Sequence, residues 1–173
     1  MQFTSDITVR DPKWRKLADI IVDKYEIIPT YVSLFIMCAA LGVCDGKQLD
    51  DEKSENPNDE VNFPRAVLLQ AKNADKLDFI FKAYLFSDDN TMDVEKKIKI
   101  AFLDDEDKLF KKAEPLRLCA NYGAHLLYDT ISDFDNAYVC MEEIYSLLKD
   151  KSLDSDSILG ILNDGDIEVD DWL

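Results

Sequence analysis

The stretch YVSLFIMCAALGVC, Tyr31 to Cys44, carries no charge in a chain whose formal net charge is −16. A membrane-spanning helix needs about 20 apolar residues. This run is shorter, and Ser33, Cys38 and Gly42 interrupt it. Apolar residues fall on every side of the helix it would form, which is the pattern of a helix surrounded by protein. The sequence therefore predicts a buried central helix, capped by Thr30 at its start. Gly42 is expected to close it in the left-handed conformation.

The remaining chain reads as helices arranged around that one. QFTSDITVR at 2–10 alternates weakly and predicts a short strand or an extended arm. Asp11 is placed to cap a helix with Pro12 at its first position. Trp14, Leu17, Ala18, Ile21, Val22 and Tyr25 give that helix one apolar face. Residues 45–62, DGKQLDDEKSENPNDEVN, read as a mobile acidic loop in which nothing is buried. FPRAVLLQA at 63–71 fits a helical turn or a short strand equally. Asn73 is expected to cap the next helix, with Leu77, Ile80, Phe81, Tyr84 and Leu85 inward. Val94, Ile98 and Phe102 mark a further helix, and Pro115 opens another with Leu116, Cys119, Ala120, Gly123 and Leu127 inward. Asp135 starts a last long helix, on which Tyr138, Met141, Ile144, Tyr145 and Leu148 are expected to face the core. The fold class is all-α in the main: a bundle of six to seven helices over 1–150, followed by an acidic tail with a short helix over 151–173.

Composition narrows the partners. Hydrophobic residues make up 47% of the 173, enough for a core. Asp and Glu number 36 against 20 Lys and Arg, so phosphate backbones and anionic membrane faces repel the chain. The densest basic run, EKKIKI at 95–100, is broken by Glu95 and followed by DDED. No direct nucleic-acid binding is expected. The four cysteines, Cys38, Cys44, Cys119 and Cys140, form no CxxC pair, and His125 is the single histidine. A structural zinc site needs four such ligands in close pairs, so Cys38, Cys119 and Cys140, in apolar helical context, read as buried free thiols, and a reducing cytoplasm is the simplest home.

Chemistry is sparse. His125 sits in GAHLLYD and reads as a partly exposed or hydrogen-bonded helix residue. GxSxG, P-loop, GxGxxG and HExxH patterns are missing from the sequence. DSDS at 154–157 and DGDIEVDD at 164–171 lack the residue order of a calcium loop. The expected catalytic, metal and cofactor sets are therefore empty. The tail is richer. Asp164, Asp166, Glu168, Asp170 and Asp171 alternate with apolar residues and end on Trp172 and Leu173. Three readings stand: a peptide that docks on a basic groove of a partner, a strand that augments a partner sheet, or a tail folded back with Trp172 on its own domain. Small residues on the helix after Pro115, Ala120, Gly123 and Ala124, predict a close helix–helix approach at a cost in helix propensity of about 1 kcal/mol at Gly123.

Two segments carry a family resemblance. LFIMCAALGV at 34–43, through Phe35, Ala39, Ala40 and Gly42, resembles a segment of a small bacterial family found beside DNA phosphorothioation-dependent restriction (Dnd) genes. CANYGAHLL at 119–127 is similar to that family's YANGGLEIL-like segment, matching at Ala120, Asn121, Gly123 and Leu127. Cys119 stands where an aromatic is usual, and Tyr122 replaces a glycine. DKLDFIFKAYLF at 75–86 sits where the family has an apolar helix. The resemblance covers about a third of positions, all helix-core ones. It implies an accessory protein of phage-defence islands and no activity.

Three functions follow as expectations. The first is a non-catalytic adaptor that binds a larger nuclease, ATPase or sensor through its acidic surface and tail. The second is an inhibitor or DNA mimic, whose carboxylates from 50–60, 88–107 and 150–171 would form one stripe. The third is a metal-dependent enzyme built on clustered carboxylates.

Overall fold

Asp11 begins the first helix as its residue type predicts. Its carboxylate accepts hydrogen bonds from Lys13 N at 2.7 Å and Trp14 N at 3.3 Å, and Pro12 follows where a backbone N–H is dispensable. The computed structural model describes residues 5–50, 54–87, 91–102 and 112–151. Among these, the order is β1 (Ile7–Arg10), α1 (Pro12–Leu17), α2 (Tyr31–Cys44), β2 (Glu60–Phe63), α3 (Arg65–Leu68), α4 (Ala71–Phe86), α5 (Val94–Phe102), α6 (Ala113–Thr130) and α7 (Ala137–Lys151). The fold is mainly α-helical, with a small two-stranded sheet.

The helix of α1 widens into a π-helix over Ala18–Lys24, with Tyr25 N donating to Ile20 O at 3.0 Å. Glu26, at φ 52°, then turns the chain so that Ile27 and Ile28 both donate to the Ile21 carbonyl. That turn buries Ile28.

The two strands are antiparallel, with Ile7 opposite Phe63 and Val9 opposite Val61. These four point inward. Outward, Thr8 donates to Asn62 and Arg10 pairs with Glu60 at 2.8 Å, as cross-strand neighbours do. The N-terminal strand thus exists, and its partner lies in the segment read as an unburied loop. Val61, only 1% exposed, overturns that expectation. The physical reason is alternation: four residues of period-two pattern cover the core once a second strand lies beside them. Asn56 and Ser54 fold the preceding turn through hydrogen bonds to Asn58 N, Asp59 and Asn56 N.

At the centre stands α2, as its composition predicts. Thr30 Oγ1 accepts from Ser33 N at 3.0 Å. Phe35 meets Trp14 and Phe63 in a three-ring cluster with centroids 4.8–6.4 Å apart. Gly42 does not close the helix: it lies buried in the last turn, and Gly46, at φ 63°, takes the left-handed position. Asn73 is likewise not a cap. The helix α4 begins earlier, at Ala71, and Asn73 Nδ2 donates back to the Val67 carbonyl at 2.9 Å. Asn136, one residue after Asp135, caps α7 through Tyr138 N and Val139 N.

Candidate functional site

Two glycines set the closest approach in the fold. Phe35, Cys38, Ala39 and Gly42 lie on one side of α2, and Leu116, Cys119, Ala120 and Gly123 on one side of α6. All are buried. A methyl placed on Gly123 would stand 1.9 Å from the Cys38 carbonyl oxygen, and one on Gly42 2.1 Å from that of Cys119. Each glycine therefore rests on the backbone of the other helix's cysteine. Only a residue without Cβ fits there, which is why α6 tolerates glycine in its interior. The packing residues named from sequence are brought together here, with Ala40 half-buried at the edge. Burial pushes the Cys38 thiol up and the Cys119 thiol up to about 11, so neither is a ready nucleophile near neutral pH.

A buried polar cluster adjoins the crossing. His125 Nε2 lies 2.7 Å from Asp11 Oδ2, with the two side chains 11% and 1% exposed. Since an ionised carboxylate only accepts, the ring N–H is the donor. The same carboxylate already caps α1, so this pair fastens α6 to the start of α1. One turn away, Trp14 Nε1 donates to Asn121 Oδ1 at 3.0 Å, and Asn121 Nδ2 donates to the Leu49 carbonyl at 3.3 Å. Sequence reasoning placed His125 correctly as hydrogen-bonded, but the partner is 114 residues away and no local signal names it. Among the described residues no group of three His, Cys, Asp or Glu side chains converges to hold a metal.

A small open cleft of ≈ 170 Å³ lies beside Gly42, with Gln48, Tyr84, Ser87 and Cys119 on its walls. Gln48 Nε2 faces Cys119 Sγ at 3.9 Å, and Ser87 Oγ donates to the Tyr84 carbonyl. Its hydroxyl and thiol are thus engaged locally, with no base beside them in that wall.

The outer surface is the larger departure from expectation. Tyr138, Met141, Tyr145 and Leu148 do not face the core. They form an exposed stripe along α7, with Tyr138 66% and Tyr145 67% exposed, while Cys140 and Ile144 turn inward. The sequence did carry the signal: α7 has apolar residues on two sides, and only one side is needed to seat it on α6. Glu142 lies exposed along the stripe, and Glu143 accepts from Ser132 N and Oγ. At its end, Lys151 pairs with Asp45 at 2.5 Å, and Tyr122 donates to the same carboxylate. Burial works to raise the Asp45 pKa, but those two hydrogen bonds outweigh it and hold the carboxyl below its ordinary range.

A second apolar patch spans α4 and α5. Phe79 and Phe86 on α4 and Val94, Ile98 and Phe102 on α5 are exposed, with the Phe86 and Phe102 rings 6.3 Å apart. Lys82 Nζ stands 5.0 Å over the Phe102 ring. The tail residues Asp164, Asp166, Glu168, Asp170, Asp171, Trp172 and Leu173 lie outside the described residues, as do most of the carboxylates of the postulated stripe.

Among the described residues, no helix is long and apolar enough to cross a membrane. Comparison with protein-family models, with curated proteins and with solved structures returned no match.

Proposed function

We propose that this chain is an adaptor that recruits a larger protein through the outer face of α7. The observation that carries this reading is the stripe Tyr138–Met141–Tyr145–Leu148, four large apolar residues exposed on one helix. Tyr and Met are residue types enriched at interface centres, and such a stripe fits the helix-in-groove mode of recognition. Charge selects the occupant. Exposed Glu142 and Lys149 both lie beside the stripe, so its immediate rim is mixed; the chain's net charge of −16 is what favours a basic partner over a second copy of the same acidic chain. In this reading the protein has no catalysis of its own. An accessory role in an antiphage defence system follows from the resemblance of its helix-core segments and is part of the proposal.

The test compares full-length protein with a Tyr138→Ser, Met141→Ser, Tyr145→Ser variant, both recovered from the cell that encodes them. The expected result is one companion protein at stoichiometric ratio, lost from the variant while its unfolding midpoint holds. A wild-type chain that sediments alone, or as a dimer of itself, would overturn the reading. So would a variant that keeps the companion.

A further inference from the structure

Tyr138, Met141, Tyr145 and Leu148 follow one another at steps of three, four and three, the spacing of positions a and d in a heptad. At about 100° per residue they fall within an arc of about 80°. That is narrower than the stripe a helix needs to sit on a core, and it matches the seam of two helices wound together. The seam is already helical. Cys140 and Ile144 seat α7 on the domain, so its outer face needs no further ordering. The two flanks of the seam differ. Ile144 is buried and Lys151 is paired with Asp45, so that flank belongs to the domain. Glu142 and Lys149, one heptad apart, stand exposed on the other. Among the described residues Glu142 has no ion-pair partner.

Resting on the adaptor reading, we infer that the companion contributes a single amphipathic helix, which lies along α7 as the second helix of a short coiled coil. The seam sets its chemistry: apolar residues at heptad positions a and d, and Lys or Arg on the flank that meets Glu142. Tyr138 to Leu148 spans about 15 Å, so about three turns of the companion cover it, at a crossing angle of about 20°. One helix suffices, because an arc this narrow fills against one neighbour. A groove between two helices would leave one wall without apolar contact. A second copy of this chain fits badly. Paired antiparallel, position a of one α7 faces position d of the other, Tyr138 against Leu148 and Met141 against Tyr145, which sets the two-fold axis at Glu143. Each Glu142 then stands beside its equivalent, and like charges so placed repel. Paired parallel, two chains of net charge −16 lie side by side.

The experiment uses the full chain in the cell that encodes it. The photoreactive residue p-benzoylphenylalanine is placed at Tyr138, Met141, Tyr145 or Leu148, one per sample. The companion residues it captures on irradiation are identified by mass spectrometry. The captured residues are expected within one run of the companion, three or four apart, in the order of the four probes or its reverse. Captures spread over separate segments, or two residues apart as along a strand, overturn the helix and leave the adaptor reading standing. A companion that copurifies but is captured at none of the four positions overturns both, as does the absence of a companion. Charge gives a second readout. Glu142→Lys and Asp150→Lys make the same change in net charge, and Asp150 is exposed on α7 away from the seam. Glu142→Lys is expected to lower companion recovery about fivefold and Asp150→Lys to leave it unchanged, with both unfolding midpoints holding. Equal losses in the two variants, or none in either, overturn the inference.

Discussion

The α2–α6 crossing and the outer face of α7 begin from the same kind of pattern, and end as opposites. Both present residues at three- and four-residue spacing. At the crossing, small residues let two backbones touch, and nothing as large as a methyl fits at Gly42 or Gly123. On α7, large residues stand in solvent. The difference teaches that periodicity selects a helix and a face, while side-chain size decides how near a neighbour comes. Where bulky residues remain after the neighbour is seated, a second apolar surface is left exposed.

The sharpest way to break this contrast is at the glycines. By helix propensity alone, Gly123→Ala should stabilise by about 1 kcal/mol. The overlap with the Cys38 carbonyl predicts the opposite sign, a loss of about 3 kcal/mol or more as overpacking forces the helices apart. Urea unfolding of Gly123→Ala and Gly42→Ala decides it, and a gain in either would end the close-contact account.

Next in size is the tie behind the crossing. Asp11→Ala removes a helix cap and leaves the buried His125 N–H without its acceptor, an expected loss of about 2–3 kcal/mol. Asp11→Asn keeps an oxygen for the cap and should recover part of it. Equal midpoints for the two variants would show that the pair contributes nothing beyond burial.

A smaller effect joins the two regions. The Lys151–Asp45 pair anchors the end of α7 to the end of α2. The Asp45 pKa is lower in the folded than in the unfolded chain, so its contribution is complete above about pH 4 and fades as pH falls through the folded value. Lys151 is raised by the same hydrogen bond, so its part is complete below about pH 10 and fades as pH rises further. Asp45→Asn should cost about 1 kcal/mol and speed amide exchange in the last turn of α7 at pH 7. As pH falls through the lowered folded value, exchange there in the wild type should approach that of the variant.

The smallest expected change in stability is on the α7 stripe itself. Replacing Tyr138, Met141 and Tyr145 by serine should leave the unfolding free energy within about 0.5 kcal/mol per site, because no buried contact is lost. A large drop would mean that the stripe is covered in solution.

Much of the scaffold was legible in the chain. The caps Asp11 and Thr30, the burial of Cys38, Cys119 and Cys140, and the small-residue face of α6 at Ala120 and Gly123 follow from local residue chemistry, whereas the pairing of that face with α2 does not. The errors share one origin. Gly42 was expected at a helix end, since glycine is common there, but packing needed it two residues earlier. The 45–62 segment read as loop because Val61 and Phe63 show their meaning only beside Ile7 and Val9. The inward face of α7 was chosen by apolar content, where two faces qualified.

By itself the sequence determined where helices form, because capping, propensity and periodicity act over a few neighbouring residues. The tertiary structure alone decided that His125 meets Asp11, that Asn121 holds Trp14, and that Tyr138 and Tyr145 look outward. Those outcomes depend on groups far apart in the chain and on which of two competing apolar faces wins the limited space around α2 and α6. Local pattern carries no term for that competition.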